Sequence, residues 1–88
     1  MTYTYLYEII INNRFIFQLY YDNTGKTYVN FYTNKNPKFY TRIFENYNNA
    51  LNIIKNTIYE LFTLDDNIHI KYYNTNMLIN ITNFIWKI

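Results

Sequence analysis

Residues 15–33, FIFQLYYDNTGKTYVNFYT, decide the fold. Two stretches of period-two alternation, rich in aromatic and β-branched residues, flank a short polar break, and that pattern is a β-hairpin. The break Asp22-Asn23-Thr24-Gly25-Lys26 reads as a type I turn closed by Gly25 in the left-handed region, which a residue without Cβ enters freely. The turn then fixes the pairing. Leu19 falls opposite Val29, Phe17 opposite Phe31, and Asp22 opposite Lys26 as an exposed ion pair.

Upstream, residues 3–11 alternate in the same way. Tyr3, Tyr5, Tyr7, Ile9 and Ile11 point one way; Thr4, Leu6, Glu8 and Ile10 point the other. The connection to residue 15 is decided by phase, because a one-residue slip moves every side chain to the opposite face. A two-residue loop, Asn12-Asn13, would set Ile11 against Arg14. A three-residue loop, Asn12-Asn13-Arg14, sets Ile11 against Phe15, Ile9 against Phe17 and Tyr7 against Leu19. The longer loop keeps the apolar rows together, and Asn tolerates the positive φ it needs. Residues 1–33 are therefore expected to form a three-stranded meander.

Downstream, Asn34-Lys35-Asn36-Pro37-Lys38 is a polar turn, and residues 38–44 read as a fourth short strand. Tyr47, Ala50, Leu51, Ile54, Ile58, Leu61 and Phe62 then recur at helical spacing, with Asn48, Asn49, Asn52, Lys55, Asn56 and Glu60 on the opposite side. Asn46 or Glu45 starts this helix, which is expected to span Asn46–Thr63, and Asp65-Asp66-Asn67 ends it. Ile68, Ile70 and Tyr72 alternate with His69, Lys71 and Tyr73. After the turn Asn74-Thr75-Asn76, Met77, Ile79 and Ile81 alternate with Leu78, Asn80 and Thr82. The apolar phase flips near Asn83 to Phe84, Trp86 and Ile88, as a bulge or short turn would make it do. The fold class is α+β: one domain over residues 1–88, an antiparallel sheet of five or six strands with one helix packed on one face, order β-β-β-(β)-α-β-β.

If the row containing Ile9, Phe17, Phe31, Leu19 and Val29 meets the helix, the other face carries the rows Leu6–Tyr20–Tyr28, Glu8–Gln18–Asn30 and Ile10–Ile16–Tyr32. Two of these three rows are apolar or aromatic, and a continuous group of that kind marks a contact site. One helix covers one face. Either the C-terminal hairpin folds over the second face or another molecule does.

The chain has twelve Tyr, seven Phe and one Trp, no Ser and no Cys, one His and one Gly. Part of the Tyr and Asn excess is what an A/T-rich genome would encode, so position is the argument rather than abundance. Without Cys there are no disulfides, thiolate metal sites or thiol nucleophiles. One His excludes His-pair zinc motifs, and one Gly excludes a glycine-rich phosphate loop. Asp65, Asp66 and His69 are the one acid–base or metal grouping the sequence allows, and a solvated helix end explains them more simply. No catalytic residues, no metal and no cofactor are expected. The N-terminus lacks a basic segment followed by an apolar stretch, and no apolar run approaches the roughly 20 residues that span a bilayer, so no membrane contact and a cytoplasmic location are expected.

Net charge is only +2, but between Asp22 and Glu45 the chain carries Lys26, Lys35, Lys38 and Arg42 and no acidic residue. Aromatics interleave these cations, a composition that suits single-stranded nucleic acid or an acidic protein surface. Tyr20, Tyr28, Tyr32, Lys26, Lys35, Lys38 and Arg42 are accordingly the expected partner-contacting residues.

In its size, its meander Tyr3–Thr33, its single helix Asn46–Thr63 and its lack of catalytic groups, the chain resembles the small inhibitors that phages make against bacterial defences, anti-CRISPR proteins in particular. The resemblance covers the whole chain but includes no motif, so no functional residue carries over. It implies a non-enzymatic inhibitor that blocks a nucleic-acid-handling host complex, acting in the host cytoplasm on a protein or nucleoprotein partner. A nucleic-acid-binding module and a self-associating structural protein, a homodimer, are the alternatives.

Overall fold

The computed structural model describes residues 2–62, 66–75 and 78–80. Its elements are β1 (Tyr3–Ile11), β2 (Phe15–Asp22), β3 (Thr27–Thr33), β4 (Asn36–Phe44), α1 (Tyr47–Leu61), β5 (Ile68–Tyr72) and β6 (Leu78–Asn80). They form one antiparallel sheet, order β4-β3-β2-β1-β5-β6, with α1 on one face. The α+β class and the element order read from the sequence are those of the structure.

The turns explain the register. Asn12 and Asn13 sit at φ 55° and 54°, and the Arg14 amide closes the loop onto the Ile11 carbonyl at 3.0 Å. This is the three-residue connection, and it sets Ile11 opposite Phe15, Ile9 opposite Phe17 and Tyr7 opposite Leu19. Gly25 lies at φ 91°, and Leu19 meets Val29 and Phe17 meets Phe31 as the turn requires. The expected ion pair at this turn is replaced by something else. Asp22 is buried, and its carboxylate accepts from the Thr24 and Lys26 amides, the Thr24 hydroxyl and the Tyr28 hydroxyl. An Asp at this position binds the donors of its own turn more readily than a mobile ammonium.

One irregularity re-aims the start of β1. Tyr5 faces Tyr20 and Tyr7 faces Leu19, so Leu6 is the extra residue of a β-bulge. Tyr7, Ile9 and Ile11 lie under the helix as expected, but Tyr3 and Tyr5 are carried to the other face. Leu6 itself packs against the core, so the expected row Leu6–Tyr20–Tyr28 is Tyr5–Tyr20–Tyr28.

The helix begins at Asn46, whose side-chain oxygen accepts from the Asn49 amide at 2.9 Å. It ends at Leu61, two residues short of the expected Thr63, because Phe62 is already extended. Extended backbone there turns the Phe62 ring onto Phe15, 5.4 Å between centroids, while Leu61 is left exposed rather than joining the apolar stripe. Ala50, Ile54 and Ile58, four residues apart, are fully shielded against Ile9, Ile11, Phe17, Leu19, Val29 and Ile68. Burying each isoleucine stabilises the fold by about 1.5–3 kcal/mol. Tyr7 is also buried in this layer, and its hydroxyl bonds that of Tyr47.

β5 returns beside β1, with Ile70 opposite Ile9, and β6 continues outward from β5. The described part of the C-terminal hairpin thus widens the sheet in its own plane. The expected phase flip near Asn83, like the rest of residues 81–88, lies outside the described residues. Pro37 falls in β4, an edge strand, where a missing amide donor is tolerated.

Candidate protein-contact face

The face of the sheet away from α1 is built row by row from the register. One row is Tyr5–Tyr20–Tyr28–Ile43, the next Lys71–Glu8–Gln18–Asn30–Thr41, and the third His69–Ile10–Ile16–Tyr32. Tyr3 stands over the end of the first row, and Tyr73 reaches it from the turn after β5. Tyrosine side chains from three strands and one turn therefore meet on a single surface.

Their geometry is specific. Tyr20 and Tyr28 stack with centroids 5.1 Å apart and planes 7° apart. Tyr3 meets both edge-on, at 5.5 and 5.4 Å. Tyr5 packs on Tyr20 at 4.8 Å and on Tyr73 at 5.6 Å. Offset and edge-to-face pairs of this kind contribute roughly 0.5–1.5 kcal/mol beyond burial.

The hydroxyls are tied down between the rings. Tyr28 donates to Asp22 at 2.8 Å, Tyr32 to Glu8 at 3.0 Å and Tyr20 to Asn30 at 3.3 Å. Gln18 donates to the Tyr73 hydroxyl at 2.7 Å and accepts from the Asn30 amide at 2.9 Å. The Asn30 oxygen also accepts from Thr41 at 2.7 Å. Asn30, 6% exposed, is thus the centre of a polar network running across three strands, β2, β3 and β4, and reaching Tyr73 in the turn after β5.

The electrostatics follow from these bonds. The Thr24 hydroxyl, with help from Tyr28 and two turn amides, holds the Asp22 carboxyl down at about 2, against the opposing effect of burial. The Asp22 carboxylate in turn pushes the Tyr28 hydroxyl up to about 12. Burial raises Tyr32, and the Glu8 carboxylate raises it further. Burial raises Tyr20 and Tyr73 too. Every shifted phenol of this face keeps its proton more firmly than a free tyrosine.

Of the residues singled out from the sequence, Tyr20, Tyr28 and Tyr32 share this face. The cations do not join them as one group. Lys26 is exposed at the β2–β3 turn and Lys35 at the β3–β4 turn, at opposite ends of the seven-residue β3, a separation of roughly 20 Å. Arg42 lies opposite Val29, on the helix side of the sheet, with its guanidinium 5.2 Å from the centre of the Phe44 ring. The Lys38 side chain lies outside the described residues. Tyr3, Tyr5 and Tyr73 belong to the face without having been singled out.

The grouping of Asp65, Asp66 and His69 also resolves in part. The Asp66 carboxylate accepts from the Asn12 side chain at 2.8 Å at the β1–β2 loop, whereas His69 lies opposite Ile10 on the far face. Asp65 lies outside the described residues. Among the described residues no three His, Asp or Glu side chains gather as metal ligands would, and no helix is long and apolar enough to cross a membrane. The chain matches no family model, no curated protein and no solved structure.

Proposed function

We propose that this chain is a non-enzymatic protein-binding module whose contact surface is the tyrosine face, acting as an inhibitor of anti-CRISPR or other anti-defence type on a nucleic-acid-handling host complex. The observation that carries the reading is the mutual packing of the rings. Tyr20 and Tyr28 cover each other's faces, and Tyr3 and Tyr5 pack against them. A platform for nucleic-acid bases needs open ring faces and a track of cations. Here ring faces are occupied, the carboxylates of Glu8 and Asp22 lie in the same surface, and Lys26 and Lys35 stand at opposite ends of β3. Rings held in place with few rotatable bonds supply contact area at low entropic cost, which is how tyrosine-rich protein interfaces work. Tyr3 and Tyr5, 45% and 49% exposed, are the accessible rings of the cluster. The raised phenols also oppose a tyrosine base or nucleophile, which needs its proton held loosely.

The test titrates the chain into target-cleavage assays of RNA-guided nucleases, with Tyr3→Ser/Tyr5→Ser and Lys26→Glu variants alongside. Inhibition by the wild type and by Lys26→Glu, lost in the tyrosine double variant, is the expected result. Inhibition that survives the double variant removes the face from the account, and failure against every nuclease removes the proposed target. Gel shifts with single-stranded DNA and RNA at low salt are expected to show no complex. A shift that fades with salt and needs Tyr5 would make nucleic acid the partner. Sedimentation showing a dimer that Tyr5→Ser dissolves would assign the face to a second copy.

A further inference from the structure

We propose a second docking site, at the border of the tyrosine face: the outer edge of β4 accepts an extended acidic segment of a partner protein as an added strand. Among the described residues β4 is the last strand of the sheet on its side, paired to β3 alone. It is nine residues long. A strand edge presents a row of backbone donors and acceptors that only another strand satisfies fully; Pro37 interrupts the row near the start of β4, and Tyr40–Phe44 continue it without proline.

The side chains beside this edge are unusually apolar. Tyr40 is 79% exposed and Ile43 59% exposed, on opposite faces of β4, so an added strand would find an anchor on either side. On the helix side the edge opens into a groove of about 210 Å³, lined by Phe31, Tyr40, Arg42, Phe44, Ile53 and Thr57. Arg42 lies over Phe44 at its lip. An incoming strand points alternate side chains toward the groove, which favours an apolar residue in the groove followed by a carboxylate on Arg42.

Charge selects the occupant. No acidic residue occurs between Asp22 and Glu45, and Lys35, Lys38 and Arg42 lie along or beside β4. A second copy of this chain would bring the same basic strand to the same edge, so self-pairing sets like charges together. Nucleic acid would meet the charge but has no ladder of amides to offer. A peptide strand that alternates acidic and apolar residues satisfies the backbone edge, the groove and Arg42 together, as strand addition does in other recognition domains.

Titration of the isotope-labelled chain with a synthetic peptide alternating Glu and Val around a central Phe, followed by amide NMR, tests this. The expected response is a set of shifts confined to Tyr40–Phe44 and to Ile53 and Thr57 of α1, weakened about tenfold by Arg42→Glu and reduced by salt. The unshifted amides show whether Arg42→Glu has kept its fold, and Ile53→Lys gives a second probe of the groove. Tyr20→Ser is expected to leave the titration unchanged, so the edge and the tyrosine face are tested separately. No shift up to roughly 1 mM peptide, an equal response to the peptide with Lys in place of Glu, or shifts centred on Tyr5 and Tyr20 would each overturn the proposal.

Discussion

Replacing Asn30 with Ala probes the polar network that ties the tyrosine face together. The Asn30 side chain donates to Gln18 and accepts from Tyr20 and Thr41, so the substitution removes three hydrogen bonds at a position only 6% exposed. Thr41 is exposed and its hydroxyl turns to water. Gln18 and Tyr20 are half-buried and lose partners that solvent replaces less well. At about 1 kcal/mol for each bond that water cannot restore, with a further contribution from the small void, the loss comes to about 2–3 kcal/mol. In a domain of this size that lowers Tm by roughly 10–20 °C. Urea unfolding followed by tyrosine circular dichroism measures it, with an unchanged slope showing that the same surface is exposed. A loss under about 0.5 kcal/mol for Asn30→Ala would mean the amide already belongs to solvent and the network is not what orders the rings.

Three further outcomes follow from individual positions. Asp22 titrates at about 2 in the folded chain, below its unfolded value, so its contribution is complete above the ordinary carboxylate range near pH 4 and is lost as pH falls toward 2; Asp22→Asn is expected to flatten acid unfolding over that window, and an unaltered profile would place the loss elsewhere. Ile54→Ala removes a fully shielded contact between helix and sheet and should cost about 2–5 kcal/mol in denaturant unfolding. Gly25→Ala meets nothing within 4 Å, so its penalty of roughly 1 kcal/mol comes from backbone strain at φ 91° alone; a neutral result would contradict the turn geometry.

The meander was legible because two independent signals agree in it. Asn12 and Asn13 on one side, and Gly25 on the other, allow only loops that keep Ile9, Phe17 and Phe31 in one row. The helix was legible from the spacing of Ala50, Ile54 and Ile58 and from the cap at Asn46. The bulge at Leu6 was not, because an extra residue leaves the visible alternation of Tyr3, Tyr5 and Tyr7 intact while reversing which way the first two point. Asp22 and Lys26 were adjacent across a turn, but the nearer turn donors won the carboxylate. The basic segment 26–42 is compact in sequence only. A hairpin sends its two turns to opposite ends, and the register puts Arg42 on the helix side. Alternation in the C-terminal hairpin is likewise the same whether that hairpin lies in the sheet or folds across it.

Tyrosine-selective labelling and proton–proton NOE spectra test most directly where the rings stand. The account predicts cross-peaks from the Tyr5 ring to Tyr20 and Tyr73, and from Tyr3 to Tyr28, with the Tyr7 ring contacting Tyr47 and Tyr72 instead. Cross-peaks joining Tyr5 to Tyr47, with none to Tyr20, would put the start of β1 under the helix and dissolve the tyrosine cluster.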